Sequence, residues 1–490
     1  MAYRVAVSFV RWLLRIFFHR VEVTGLANIP EDGGGLVVSW HPNAIIDGGL
    51  VLAHFPRQIV LGARHGLFAW PVLGPLMRAL EIVPVCRRQD FAGSDEEMRR
   101  EANRKSLDVL AEAIAGGKFA ALFPEGDSHD EPFPKELKTG AARLYYRARE
   151  LTPENAPPPV IIPIGLHYDQ KRLLGSSVLV AIHPPLELDE ALSANATGEA
   201  KREQYRRLTQ ELERVLHQVV HATESWQQHH AMHRGRKLLR AERAHRAGAS
   251  PPRPDMKERV LAFSRMWTGY NALMGTQPKE IEQLFARVRE YDENMRELGL
   301  HDHELDSSPR LASPWLGAIL VLQMMLVYLL LPPILILGYI VNMPTALAVL
   351  LISKKAARKQ KDEASLKLVA GAIAFPVTWF VVAVLVALGN RLLEPIYPAI
   401  PGSPLLTGVT AFFLSAASAY LVLNYQRLAR QTLRSIRVRL TRYRRKAALE
   451  QLRMERRELY DAFTKLSEGL ALPGRLEPDG RVVEAIRDDA

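Results

Sequence analysis

Short apolar runs recur through residues 21–190, with helix-like stretches between several of them. The runs are Gly35–Ser39, Gln58–Leu61, Glu81–Val85, Phe119–Phe123, Val160–Ile164 and Val178–Ile182. Ser94–Ala115 and Leu137–Arg149 carry the helical pattern. Strands with few polar positions belong to a sheet buried on both faces. Their alternation with helices predicts an α/β domain over 21–190, its sheet covered by helices. Residues 195–310 then read as a helical region. A long polar helix occupies 200–245, a linker follows near 248–254 (GASPPRP), and a second helical section ends at Gly299.

The pattern changes at residue 311. No charged side chain occurs from Leu311 to Ser353, which is long enough for two helices of ~20 residues. Pro332 and Pro333 sit near the midpoint, so a hairpin or re-entrant pair is expected, about 315–331 and 333–352. A third helix is expected at about 368–389 and a fourth at about 404–425. Residues 311–426 thus form a C-terminal multi-helix transmembrane section. The first twenty residues differ: Arg4, Arg11, Arg15 and Arg20 interrupt an apolar run holding Trp12, Phe17 and Phe18. No small-residue cleavage site follows. The segment 1–20 therefore reads as an amphipathic helix on the membrane surface, or as an ordinary helix packed on the next domain.

Charge adds topology and partners. Lys and Arg number 64 against 53 Asp and Glu, a formal net charge of +11. A basic balance favours an anionic partner. Lys354–Lys367 and the acid-free run after residue 426, from Arg427 to Lys446, are both basic. The positive-inside rule places them in the cytoplasm, and four crossings would place residues 1–310 there too. Residues 427–490 are expected to form a basic cytoplasmic helix and tail against anionic phospholipid headgroups. Nucleic acid is not an expected partner, because the basic run abuts a membrane segment. The single cysteine, Cys86, makes neither an internal disulfide nor a cysteine-based zinc site. The histidine-rich piece His217–His233 reads as a solvated helix face, and no metal is expected.

Two short constellations carry chemistry. Ser39-Trp40-His41-Pro42-Asn43-Ala44-Ile45-Ile46-Asp47 follows a strand. A histidine at a strand end with a carboxylate nearby can act as a general base, the carboxylate fixing its tautomer. Pro42 disfavours helical geometry at His41 and suits a helix's first turn. Asp47 would then lie on a helix that begins just after His41. Phe123-Pro124-Glu125-Gly126-Asp127-Ser128-His129 also follows a strand. Lys138, Thr139 and Gly140 open a helix beyond it, an arrangement suited to an anion.

Taken in order, His41 with Asp47, Gly62-Ala63-Arg64 with Val83-Pro84-Val85-Cys86-Arg87, Phe123–Gly126, and Ile162-Pro163-Ile164-Gly165-Leu166 resemble the four blocks of the glycerolipid acyltransferase family. The spacing from His41 to Asp47 is one residue longer than usual, and Ser128 stands where most members have an arginine. The longer spacing, Asn43, FPEGDSHD and Leu137–Gly140 resemble the fungal-type glycerol-3-phosphate/dihydroxyacetone-phosphate acyltransferases. That likeness continues through Asn294–Leu305 (NMRELGLHDHEL) and into the membrane section.

The resemblance implies direct transfer of an acyl group from a thioester to a glycerol hydroxyl. His41 would be the base and Asp47 its orienting carboxylate. Glu125 and Gly126 would bind the acceptor hydroxyl or position the site. Arg64, Arg87, Arg88 and Lys138 are candidates for the acceptor phosphate. No cofactor is implied beyond acyl-CoA or acyl carrier protein as co-substrate. The partners implied are the thioester donor, a glycerol phosphate-type acceptor and the membrane. A lysophosphatidate acceptor, a non-catalytic scaffold and a transporter are the competing readings.

Overall fold

The computed structural model describes residues 2–70, 73–86, 96–188, 197–306, 314–356, 363–397 and 402–484. The chain divides into two units. One comprises Met1–His229, Pro254–Val260 and Ala357–Leu368; the other comprises His230–Arg253, Leu261–Ala356 and Val369–Ala490.

The first unit is built on one mixed sheet. Its strands are β1 (Phe18–Thr24), β2 (Gly35–Ser39), β3 (Ile59–Arg64), β4 (Val83–Val85), β5 (Phe119–Leu122), β6 (Val160–Tyr168) and β7 (Ser176–Ile182). Their spatial order is β1-β7-β6-β2-β5-β3-β4. β6, β2, β5, β3 and β4 are parallel neighbours, β7 runs antiparallel to β6, and β1 is parallel to β7. Successive side chains point to opposite faces, as strand geometry requires. Val37, Ile59, Ala121 and Ile162 enter one core with α1 (Ala2–Phe17) and α2 (Ile45–His54). Leu36, Val38, Val60 and Ile161 enter the other, with α4 (Glu96–Ala115) and α5 (Gly140–Leu151); α3 (Leu73–Ala79) precedes β4.

Three expectations need adjustment here. The six apolar runs are strands, but β1 was not anticipated. It is an edge strand, so Arg20 and Glu22 alternate with Val21 and Val23 and break the apolar run. The opening helix ends at Phe17, not at residue 20. It is both amphipathic and packed: Leu14 and Phe17 are buried in the core, while Val5, Phe9, Trp12 and Ile16 line an exposed stripe. The domain also runs past residue 190. Leu208, Leu212 and Leu216 of the helix Gly198–Val219 complete the second core, each contributing roughly 1.5–3 kcal/mol by burial.

The second unit is helical apart from a two-stranded antiparallel sheet, Arg475–Leu476 with Val482–Val483. Helices Trp226–Arg246, Met256–Met274, Pro278–Leu298 and Lys446–Leu466 supply its core residues Met232, Phe263, Phe285, Tyr291, Leu459 and Phe463. The NMRELGLHDHEL segment ends the third of these helices at Gly299, where φ is 65°. It then delivers Asp302 to Arg234 Nη1 at 2.8 Å and to the Tyr291 hydroxyl at 3.0 Å. Arg456, 1 % exposed, binds Glu242 at 2.9 Å and the Asp302 carbonyl at 2.9 Å. A charge this deeply buried persists only with such partners.

Three helices among the described residues are long and apolar enough to cross a membrane: Gly317–Lys355, Glu363–Leu393 and Pro404–Arg444. The hairpin expected at Pro332-Pro333 is absent, because Pro314–Met325, Leu326–Leu330 and Leu331–Ala356 run on as one helical stretch. The middle piece is a π segment. Its wider turn lies just before the two prolines and accommodates their missing N–H donors. The basic run after residue 426 is not a separate helix either; it continues Pro404–Arg444.

Candidate active site

Parallel register brings the chemistry-bearing residues to one level. Val38 pairs with Leu122 on one side and with Pro163 on the other, and Leu61 pairs with Ala121. Three residues on from Val38, Leu122 and Pro163 stand His41, Glu125 and Leu166, and three on from Leu61 stands Arg64, level with Pro124. All four lie at the carboxyl edge of the parallel strands, where open α/β sheets bind ligands.

His41 is held from every side. Its Nδ1 lies 2.9 Å from Asp47 Oδ2. Its ring stacks on Phe123, with centroids 4.2 Å apart and planes 16° apart. Its main-chain N–H donates to Glu125 Oε1 at 2.8 Å, and its carbonyl accepts from the His129 N–H at 3.1 Å. The neighbouring Trp40 indole donates to the Leu166 carbonyl at 3.0 Å. The His41 side chain keeps 14 % of its surface. With Nδ1–H facing the carboxylate, Nε2 carries the lone pair that can take a proton.

Asp47 sits in the first turn of α2 and is fully buried. The chain enters that helix through Ala44, whose φ is 48°, a conformation that alanine rarely adopts. Asp47 Oδ2 also accepts the Asn43 N–H at 2.6 Å, and Oδ1 accepts the Tyr168 hydroxyl. Burial, and then the Asp47 charge, push the Tyr168 phenol well above its ordinary value, so it remains a donor.

Glu125 turns inward. It is 5 % exposed, and its oxygens meet the His41 N–H, the Lys135 N–H at 3.1 Å and the buried His129 ring. Of the two roles expected for it, this geometry fits positioning. Gly126 has φ 72°, and a β-carbon there would stand 2.5 Å from Lys138 Nζ. The Lys138 amine therefore lies against the Gly126 backbone, and the Lys138 main-chain N–H donates to the Pro124 carbonyl at 2.9 Å. Lys138 is thus a basic side chain held beside this turn. Ser128 itself is buried. Arg64 ends β3 in an exposed position. Arg87 and Arg88 lie outside the described residues. Cys86 is buried, and the Asn103 amide clamps its main chain at 2.8 Å on both N–H and carbonyl, which suits a structural residue.

Two participants carried no local signal. Tyr168 lies 121 positions from Asp47, and only sheet register unites them. Ser365 lies further still: its hydroxyl donates to the Asn43 carbonyl at 3.3 Å, and Ala364 beside it is fully buried in the same core as α2. The first turn of the apolar helix Glu363–Leu393 is thus seated on the loop between His41 and Asp47. The histidine-rich stretch also differs from expectation. His221 is not on a solvated face but beside His167, with ring centroids 5.6 Å apart.

A family model described as Acyltransferase matches residues 20–167. A second, described as Glycerol-3-phosphate acyltransferase 2 C-terminal domain, matches residues 255–471. Uncharacterized proteins of Mycobacterium tuberculosis and Mycobacterium bovis are each 34 % identical over 131 residues. The shared stretch is 24 % of this chain and 30 % of theirs, so this chain spans under a third of the length of these curated relatives. The crystal structure of the 1-acyl-sn-glycerophosphate (LPA) acyltransferase PlsC from Thermotoga maritima is 18 % identical, with a TM-score of 0.30. The match covers 44 % of this chain and 79 % of that one.

Proposed function

The chain belongs to the glycerolipid acyltransferases, and from that footing we propose that it acylates a hydroxyl of glycerol 3-phosphate or dihydroxyacetone phosphate. The donor is an acyl thioester, carried by coenzyme A or acyl carrier protein. The observation that supports a phosphate-bearing acceptor is the Lys138 amine against Gly126, on the same turn whose Phe123 ring and Glu125 carboxylate hold His41. A cation there suits a phosphate while the acceptor hydroxyl meets His41. Arg64, level with Pro124, is a second cation for that phosphate. The match of residues 255–471 to a glycerol-3-phosphate acyltransferase domain favours the same acceptor.

The step needs no covalent acyl-enzyme. His41 Nε2 removes the hydroxyl proton as the acceptor oxygen attacks the thioester carbonyl. The C–S bond breaks, an ester C–O bond forms, and the thiolate takes the proton back from the imidazolium. Asp47 stabilises that imidazolium and keeps the ring aimed.

The three apolar helices support action at a membrane. The four crossings expected from the sequence are not met, because residues 314–356 run as one helical stretch; the positive-inside rule turns the basic Arg427–Arg444 end of the third apolar helix toward the cytoplasm. The exposed Val5, Phe9, Trp12 and Ile16 stripe, with Arg4 and Arg15 on the same helix, suits an anionic phospholipid surface.

The test is acceptor competition on membranes bearing the full chain, with labelled palmitoyl-CoA and either glycerol 3-phosphate, dihydroxyacetone phosphate or lysophosphatidate. Lysophosphatidate formed from glycerol 3-phosphate, and lost in His41→Ala, is the expected result. Phosphatidate formed only from added lysophosphatidate would overturn the acceptor assignment.

A further inference from the structure

We infer that Tyr168 is a positioning residue for the reaction, setting through Asp47 both the aim and the basicity of His41. The inference rests on the reading of His41 as the base. Three donors converge on one fully buried carboxylate: the His41 ring and the Asn43 N–H on Oδ2, and the Tyr168 hydroxyl on Oδ1. Two of the three come from the loop that the carboxylate itself organises. Tyr168 alone comes from elsewhere, from the end of β6.

That origin matters mechanically. A carboxylate held only on Oδ2 can rotate about its Cβ–Cγ bond and carry the imidazole with it. A second donor on Oδ1, mounted on a strand that is parallel to β2, pins that rotation to the sheet. The tyrosine ring is fixed in turn by Phe18 of β1, with centroids 6.0 Å apart. The phenol also matters electrically. An O–H dipole aimed at Oδ1 offsets part of the negative charge that His41 feels. Asp47 then orients the imidazole with part of its charge already engaged by the phenol. Among the described residues, Glu125 and His129 meet the main chain of His41, and the Lys138 amine lies against Gly126 on the turn that carries Phe123.

The variant is Tyr168→Phe, which keeps the ring packing and removes one hydroxyl. Full-length protein in lipid nanodiscs serves for two measurements. The first is kcat and KM for palmitoyl-CoA and glycerol 3-phosphate against pH. The second is the pH midpoint of carbethoxylation of His41 by diethylpyrocarbonate, read by mass spectrometry of the His41 peptide, which needs no turnover. Supporting results are a kcat lowered ~10–100-fold, both KM values within about twofold of wild type, and a carbethoxylation midpoint moved to higher pH. The upward sign follows from the unscreened Asp47 charge holding the imidazolium more tightly. An unchanged kcat overturns the inference, and so does a lowered kcat with an unmoved midpoint, which would mark a merely structural tyrosine. Should the wild-type chain acylate no acceptor, the proposed function fails, while the midpoint comparison still decides the role of Tyr168.

Discussion

Glu125 and His41 are joined backbone to side chain: Glu125 Oε1 accepts the His41 N–H at 2.8 Å, across 84 positions of sequence. The Pro-Glu-Gly turn thereby fixes where the catalytic loop leaves β2. Replacing Glu125 by Gln puts an amide where Lys135 N–H and the His129 ring need an acceptor. A stability loss of about 1–3 kcal/mol is expected, with kcat down at least about tenfold and the acceptor KM little changed. Thermal melts and steady-state kinetics on the same preparation check this. A large rise in acceptor KM at unchanged kcat would instead make Glu125 a substrate ligand.

Lys138 should behave in the opposite way. Lys138→Met is expected to raise KM for the phosphate-bearing acceptor ~10–100-fold, the worth of a charge-assisted hydrogen bond. KM for the thioester should stay as it is. Kinetics against each substrate in turn separate the two, and equal effects on both would remove Lys138 from the acceptor site.

Gly126→Ala should mimic that loss and add strain. The new methyl displaces the Lys138 amine, which a flexible side chain tolerates. The φ of 72° is less forgiving and costs an alanine roughly 1–2 kcal/mol. Acceptor KM should rise and the melting temperature fall together. A variant with normal acceptor KM would show that the amine can act from elsewhere.

Acid should weaken the first unit. Burial holds His167 and His183 below the ordinary imidazole range, and holds His221 down at about 4. The folded state then binds fewer protons than the unfolded chain below pH ~6.5. Stability is complete above that pH and is lost as pH falls toward 4, by roughly 3 kcal/mol for His221. Melting temperatures at pH 7.5 and 5 should differ more for wild type than for His221→Asn. Asparagine tolerates the positive φ at this position and does not titrate.

Within the second unit, Asn342 joins the apolar helices. Its amide donates to the Gly338 carbonyl and to Ser418 Oγ at 3.0 Å each, and its oxygen accepts the Trp379 indole N–H at 2.9 Å. Asn342→Leu should cost about 0.6–2 kcal/mol, seen as earlier heat aggregation in detergent. Unchanged aggregation would mean that packing alone holds these helices.

Much of this protein is local physics and was readable along the chain. A sheet covered on both faces demands short apolar strands, so β2 through β7 announced themselves. Helices exposed to hydrocarbon demand long uncharged runs, so the segment after residue 311 did too. His41, Asp47, Glu125 and Lys138 each follow a strand or open a helix, a weak signal alone; they stood out because their blocks, taken in order, resemble a known acyltransferase family. What stayed hidden depends on contacts between distant residues. β1 is an edge strand whose alternating charges mask it. Pro332-Pro333 looked like a turn until a π segment absorbed the missing donors. Composition does not reveal which way the Glu125 carboxylate faces; the parallel register of β2 and β5 decides it. That same register, carried through β6, sets Tyr168 on Asp47, and burial of Ala364 sets Ser365 on Asn43. Periodicity reports which residues want to leave water, whereas the packed sheet alone determines which of them meet.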